Sequence, residues 1–319
     1  MMILYLSIKI CYDIEKEGNR MLDFRIDTFL MVCKHMNFTR AAEELNITQP
    51  GVSGHIRQLE DSYGVKLFHH EGKKLTLTDA GRLFLETART MKHDERYLKS
   101  RLSLLGGRRR ALIFGATLTV GAFVMPAAIA RYLKRHPDAP IEMQVANTKE
   151  LLRRVDDGTI DFAVVEGNFS KHSYDHLTLE TDRYIAVCAP DYKFHKPVST
   201  VEDLFGERLL LRESGSGTRE ILEKHLASLG RSVRDFAGMV EIGSVHAVKQ
   251  LAKAGCGITF LYEAAVMEEL RTGTLKRIDL EDLHVLHAFS FLWRKNSAFS
   301  ADYHALFAEL CERASDAHL

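Results

Sequence analysis

The sequence predicts a multidomain chain. It has a small α-rich domain carrying a helix-turn-helix and a β-hairpin wing, then one long linker helix, then an α/β region of two lobes. Three observations predict this. Helical patterning over residues 23–63 is cut by the short turn Asn46-Ile47 and followed by a strand–turn–strand pattern over 64–78. Residues 84–105 then carry an apolar repeat at alternating spacings of four and three. From Leu112 onward, short apolar strands alternate with helices. The length, 319 residues, suits two or three domains.

Composition narrows the class. Apolar residues make up 46% of the chain and charged residues 27%, as in globular proteins. The net charge is zero, so any basic surface is local. Residues 21–80 hold seven Lys/Arg against eight Asp/Glu, whereas residues 81–110 hold nine against three. The five cysteines are scattered and none has CxxC spacing, which argues for a reducing compartment and against a disulfide framework or a zinc site. No apolar run reaches the roughly 18 residues of a membrane span, so a cytoplasmic protein with no membrane partner is expected. The first twenty residues, MMILYLSIKICYDIEKEGNR, lack a basic n-region and a small-residue cleavage site. They read as a poorly ordered upstream extension, with Met21 as a second candidate start.

The first domain is expected over residues 21–80. Phe24, Thr28, Phe29 and Val32 recur at helical spacing as a buried stripe. Thr39 is expected to cap the next helix, and Thr48 the one after, with Pro50 in its first turn, where a missing N–H costs nothing. On that helix Val52, Ile56 and Leu59 fall on one face. Gln49, Ser53 and Arg57 fall on another and suit base edges or phosphates in a major groove. Gly51 and Gly54 weaken the helix by about 1 kcal/mol each relative to Ala and permit close backbone approach. The plain alternative is a small helical domain with a solvated polar face. Residues 64–81 read as two short strands around Glu71-Gly72-Lys73, a wing whose Lys73 and Lys74 could meet phosphates. His69 and His70 are adjacent in a strand and point to opposite faces, which disfavours a metal site.

The run FTRAAEELNITQPGVSGHIRQLEDSYGVKLFHHEGKKLTLTDAG resembles the winged helix-turn-helix of the LysR-type transcriptional regulators. The matching elements are Phe38-Thr39-Arg40-Ala41-Ala42, Gln49-Pro50, Ser53, Gln58-Leu59-Glu60, Gly64 to Phe68 and Leu77 to Gly81. The resemblance implies that Gln49, Pro50 and Ser53 contact DNA, with Thr39 beside them. Gly54 departs from the Arg, Lys or Asn common in the family, which shifts the expected contact to His55 or Arg57.

Over residues 81–107, Phe84, Ala88, Met91, Glu95, Leu98, Leu102 and Leu105 form a heptad seam with one polar member. A helix of about 27 residues between two domains suits a helix–helix dimer, and the resemblance implies dimerisation through it. The alternative is docking on its own domain. Gly106-Gly107 ends the helix, and Arg108-Arg109-Arg110 reads as a solvated hinge.

Residues 108–319 alternate strands and helices as two open sheets joined by crossing strands. Lobe I is expected at about 108–181 and 285–319, lobe II at about 182–284. Such sheets bind ligands outside the carboxyl ends of their strands. Thr117, Thr119, Asn147, Thr148 and Glu166 follow strands of the first lobe. In the second lobe the RESGSGTR run, with Ser214, Ser216 and Thr218, precedes a helix and suits an anion, and Ser244 follows another strand. Singly, each hydroxyl reads as an N-cap; together they read as a shared cleft. No GK[ST] follows SGSGT, so it is not a Walker loop. The Gly255-Cys256-Gly257 turn is expected to bury its thiol.

This region is similar to the effector domain of the same family, which shares the periplasmic-binding-protein architecture. The resemblance covers residues 22–310 and implies that these cleft residues line an effector site. It also implies a homodimer or homotetramer, operator DNA and RNA polymerase as partners, no enzymatic activity and no cofactor beyond the effector. RESGSGTR resembles the branch that regulates sulfur assimilation or carbon fixation, so a sulfur oxyanion or a small phosphorylated or carboxylated metabolite is the expected effector. Two other classes stand beside this. One is an α/β enzyme using the Ser-rich loop, disfavoured because no Gly-x-Ser-x-Gly elbow or general base can be assigned. The other is a DNA-architectural protein that senses nothing.

Overall fold

The computed structural model describes residues 21–72, 74–105 and 111–311. The expectations for residues 1–20, Lys73, Gly106-Gly107 and the arginine triplet lie outside the described residues. The chain divides into two compact units, residues 1–100 with 156–158 and residues 101–155 with 159–319.

In the first unit, helix α1 spans Phe24–His35 and α2 spans Phe38–Leu45. The cap of α2 is Asn37, not Thr39. Asn37 is extended, and its amide oxygen accepts from Arg40 N at 3.0 Å. Thr39 already lies inside the first turn, where its hydroxyl no longer faces the free N–H groups. Asn46 closes α2 in the left-handed conformation. Helix α3 spans Gln49–Tyr63 and is capped by Thr48, whose hydroxyl accepts from Gly51 N at 3.2 Å. Its Val52, Ile56 and Leu59 pack with Phe29, Val32, Ala41 and Ala42 into one core. Strands β1 (Phe68–Glu71) and β2 (Lys74–Leu77) pair antiparallel, with Glu71 opposite Lys74. Buried Glu60 of α3 accepts from Leu67 N at 2.9 Å and from Lys66 Nζ at 2.6 Å, so the base of the wing is fastened to this helix.

Helix α4 spans Asp79–Leu105 after Thr78, which accepts from Gly81 N at 2.9 Å. Its apolar stripe is divided. Phe84 sets its ring 4.8 Å from Phe29, and Ala88 is buried. Met91 and Leu102 are exposed, and Leu98 is half-buried. Glu95 is buried rather than open to a facing helix. Burial opposes its ionisation, but the Lys99 and Lys92 ammonium groups and the Met21 amide outweigh this and hold its carboxyl down at about 2. Part of the expected seam thus serves the chain's own core.

The second unit contains β3 (Leu112–Ala116), α5 (Met125–Arg135), β4 (Ile141–Val145), α6 (Thr148–Asp156), β5 (Phe162–Val165) and β6 (Tyr174–Cys188). Then follow β7 (Arg208–Arg212), α7 (Gly217–Ser228), β8 (Gly238–Ile242), α8 (Val245–Lys253), β9 (Thr259–Tyr262), α9 (Glu263–Arg271), β10 (Lys276–Ile278), β11 (Val285–Arg294) and α10 (Ser300–Cys311). One sheet runs β10-β6-β11-β5-β3-β4, with β9 also on β6, and β7-β8 form a separate parallel pair. The two long strands β6 and β11 pair antiparallel from Tyr174–Arg294 to Tyr184–Val285 and so pass through both lobes. The first lobe's core gathers Leu151, Val155, Ile160, Val165 and Leu292; the second's gathers Val187, Leu210, Val248, Leu261 and Val266. Cys256 is half-buried rather than buried, because it sits in the turn between α8 and β9.

Candidate functional site

Two polar groupings stand apart from the cores. The first is the outer face of α3. Gln49, Pro50 and Arg57 are exposed and Ser53 is half-exposed. Gln49 Nε2 donates to Ser53 Oγ at 2.9 Å, which holds both side chains along one line of the helix. A methyl group added at Gly54 would meet nothing within 4 Å, so this stretch of the face is open. Thr39 and Arg40 are exposed on α2, and Lys74 is exposed on the wing. His55 behaves differently. Its Nδ1 lies 3.1 Å from Thr28 Oγ1 and its ring meets Phe24 edge-on at 4.8 Å. Burial and Arg25 hold its pKa below the usual histidine value, and this keeps the ring neutral in the seam between α1 and α3. Of the two substitutes for Gly54, the side chain left facing outward is Arg57.

The second grouping lies at the strand ends where the two lobes meet. After β3 the chain enters a π-helical turn, Val120–Val124, that continues into α5. Single wide turns of this kind often sit at functional positions. Thr117 and Thr119 precede it and are buried. Glu166 follows β5 and is buried. Its Oε1 accepts from Thr119 Oγ1 at 3.3 Å and from Thr218 Oγ1 at 3.1 Å, and those two hydroxyls lie 3.3 Å apart. The contact therefore joins β3 and β5 of the first lobe to the start of α7 in the second. Backbone approach there is close: a methyl group at Gly217 would lie 2.7 Å from Glu166 Cγ, and one at Gly167 would overlap the Thr148 hydroxyl. Only glycine fits at either place.

Around this contact several buried polar atoms have no partner among the described residues: Thr117 Oγ1, Thr148 Oγ1, Ser216 Oγ, Glu166 Oε2 and Arg212 Nη1. Buried polar atoms are normally paired, and each one left unmade costs about 1–3 kcal/mol. Arg212 is 2% exposed, and Nε and Nη2 bind the carboxylate of Glu213 at 2.8 and 2.9 Å. Burial pushes the Glu166 carboxyl above the usual carboxylate range, against the Thr119 and Thr218 hydroxyls and the Arg212 charge. Tyr184 donates to Thr218 O at 2.8 Å and braces the first turn of α7.

The other expected cleft residues are placed differently. Asn147 is exposed and its Oδ1 accepts from Glu150 N at 2.9 Å, as the cap of α6. Ser244 is exposed and accepts from Ala247 N at 3.3 Å, as the cap of α8. Ser214 is exposed. Two full charges, Arg212 and Glu166, stand buried in the site. Arg212 was absent from the expected set, although its signal was present: the strand RLLLR ends on an arginine directly before the Ser-Gly loop.

Comparison with known proteins adds the following. Residues 25–82 match the family model of the bacterial regulatory helix-turn-helix protein, lysR family, and residues 105–315 match the LysR substrate binding domain. A probable RuBisCO transcriptional regulator of Trieres chinensis is 29% identical over 268 residues, covering 82% of this chain and 87% of that one. The uncharacterized HTH-type transcriptional regulator YeiE of Escherichia coli is 31% identical over 257 residues, covering 80% and 85%. Among solved structures, the full-length regulator LysG of Corynebacterium glutamicum superposes with a TM-score of 0.60 at 17% identity, over 91% of this chain and 98% of that one.

Proposed function

The chain belongs to the LysR family of bacterial transcriptional regulators, and on that premise we propose how its parts divide the work. Family members bind DNA and small effectors, assemble into oligomers and are not enzymes. Here α3 enters the major groove of an operator and reads it with Gln49, Ser53 and Arg57, while the wing lysines Lys73 and Lys74 and the start of α2 at Thr39 meet phosphates. The outward apolar residues of α4, Met91, Leu98 and Leu102, carry the contact of a homodimer or homotetramer in the cytoplasm. RNA polymerase is the downstream partner.

The effector is a small anion held between the lobes, either a sulfur oxyanion or a small carboxylate, phosphorylated or not. The observation that carries this is the set of unpartnered buried donors: the Thr117, Thr148 and Ser216 hydroxyls and Arg212 Nη1. An oxyanion supplies an acceptor to each of them, and the first turn of α7 adds free N–H groups and partial positive charge. An effector acts only through unequal affinity for two arrangements, and each tenfold preference shifts the balance by about 1.4 kcal/mol. Thermal unfolding with sulfite, sulfate, inorganic phosphate and glycolate, against glucose and adenosine, tests the class. At least one anion should raise the midpoint and neither neutral ligand should. Stabilisation by a neutral ligand alone would overturn the reading.

A further inference from the structure

Every unpartnered group of the cleft except one welcomes an anion. The exception is Glu166 Oε2. Oε1 is already engaged by Thr119 and Thr218, so the outer oxygen is the one left to meet whatever enters. A carboxylate oxygen facing the oxygen of an anion, both out of water, makes no bond unless a hydrogen lies between them. Resting on the anion reading above, we infer that the contact between Glu166 Oε2 and the effector carries one proton, supplied either by Glu166 or by the ligand. The site thus recognises an oxyacid that keeps a hydrogen, or takes up a proton together with an anion that has none.

The surroundings favour the Glu166 carboxyl as the proton's holder. Glu166 is almost fully enclosed, and burial raises its affinity for a proton. The charged and titratable groups that act on it are Arg212 from β7, Tyr184 from β6 and Tyr262 from the end of β9; behind the two tyrosines stand Asp182 of β6 and Glu220 and Glu223 of α7. Tyr184 and Tyr262 are pushed above the ordinary tyrosine value by burial and stay neutral. Glu223 is bound by Arg219 at 2.7 Å, and Glu220 by Lys224 at 3.1 Å. His287, behind Tyr262, is held below the usual histidine value by burial. The Thr119 and Thr218 hydroxyls, the Arg212 charge and the Thr218 N–H oppose a proton on Glu166, but burial outweighs them, and two of the Arg212 nitrogens are shared with Glu213.

The test is calorimetric titration of the full chain with sulfate, which brings no proton near neutral pH, and with inorganic phosphate, which always brings at least one. Wild type and Glu166→Gln are compared across pH and in buffers of different ionisation heat. Above the pKa of Glu166 in the empty protein, wild type should take up one proton per sulfate and its sulfate affinity should fall by about tenfold per pH unit; below it, uptake should vanish and affinity level off. Glu166→Gln should bind sulfate without proton uptake and with a flat pH profile, since its amide always has hydrogens to offer. Hydrogen phosphate should bind wild type with less uptake than sulfate. The wild-type proton count stands by itself if the variant does not fold. Sulfate binding to wild type with no proton uptake and no fall in affinity anywhere in the pH range would overturn the inference and leave the anion reading intact. So would a slope that survives in Glu166→Gln, which would assign the proton to Asp182 or His287. Failure of both anions to bind either protein at any pH would overturn the anion reading and this inference with it.

Discussion

The outer face of α3 and the cleft between the lobes are built in opposite ways. On α3 the polar side chains are exposed, come from one helix and are already aligned, with Gln49 bonded to Ser53. In the cleft they are buried and come from the ends of separate strands and the starts of two helices, and several are left without partners. An exposed group has water in the free state, so losing it affects binding and hardly touches folding. A buried group without a partner weakens folding until a ligand satisfies it, so its loss is felt in ligand affinity and, with the opposite sign, in the stability of the empty protein.

The sharpest contrast on the DNA-reading unit is expected in α4. Leu98→Lys and Leu102→Lys each place a charge on its half-buried or exposed apolar face. Sedimentation should show loss of the native oligomer in favour of monomer or insoluble chain. An unaltered oligomer would mean that assembly uses another surface and that these leucines only serve their own chain.

Next come the two faces of α3. Leu59→Ala opens a cavity in the core and should cost about 2–5 kcal/mol of stability, read by denaturant unfolding. Gln49→Ala or Ser53→Ala should leave stability within about 0.5 kcal/mol and weaken specific operator binding by about 1–3 kcal/mol in gel-shift titration. Full operator affinity in both variants, with folding intact, would remove this face from the groove. The smallest effect belongs to the cap: Thr48→Ala should cost about 1 kcal/mol of stability through the loss of its bond to Gly51 N. A cost well above that would give Thr48 a second role.

The difference between the two regions also explains what could be read in the chain. Periodicity is local, so the buried face of α3, with Val52, Ile56 and Leu59, could be told from its outer face by spacing alone. The two-lobed α/β architecture could be read from the alternation of elements. Cap identity was less legible. Asn37 and Thr39 are both good capping residues two positions apart, and only the extended backbone at Asn37 decides between them. The first half of the long strand β6 is poorly legible, because with Asp175, His176 and Glu180 it alternates polar residues and lacks the apolar run of a fully buried strand. In the cleft, sequence position puts Asn147 and Ser244 on the same footing as Thr117 and Ser216. Burial separates them: the first two spend their side chains on helix caps, the last two have none to spend them on. Arg212 and Tyr184 come together with Glu166 through the packing of β6, β7 and α7, which no spacing reveals.

The central claim is that buried hydroxyls without partners in the cleft constitute an anion site independent of the DNA-reading face. It is tested most directly by calorimetric titration of sulfite, sulfate, inorganic phosphate and glycolate into wild type and into the double variant Thr117→Ala with Ser216→Ala. Saturable binding of at least one anion to wild type, abolished in the double variant while non-specific DNA binding is unchanged, is the predicted result. Anion binding untouched by the double change would contradict the claim.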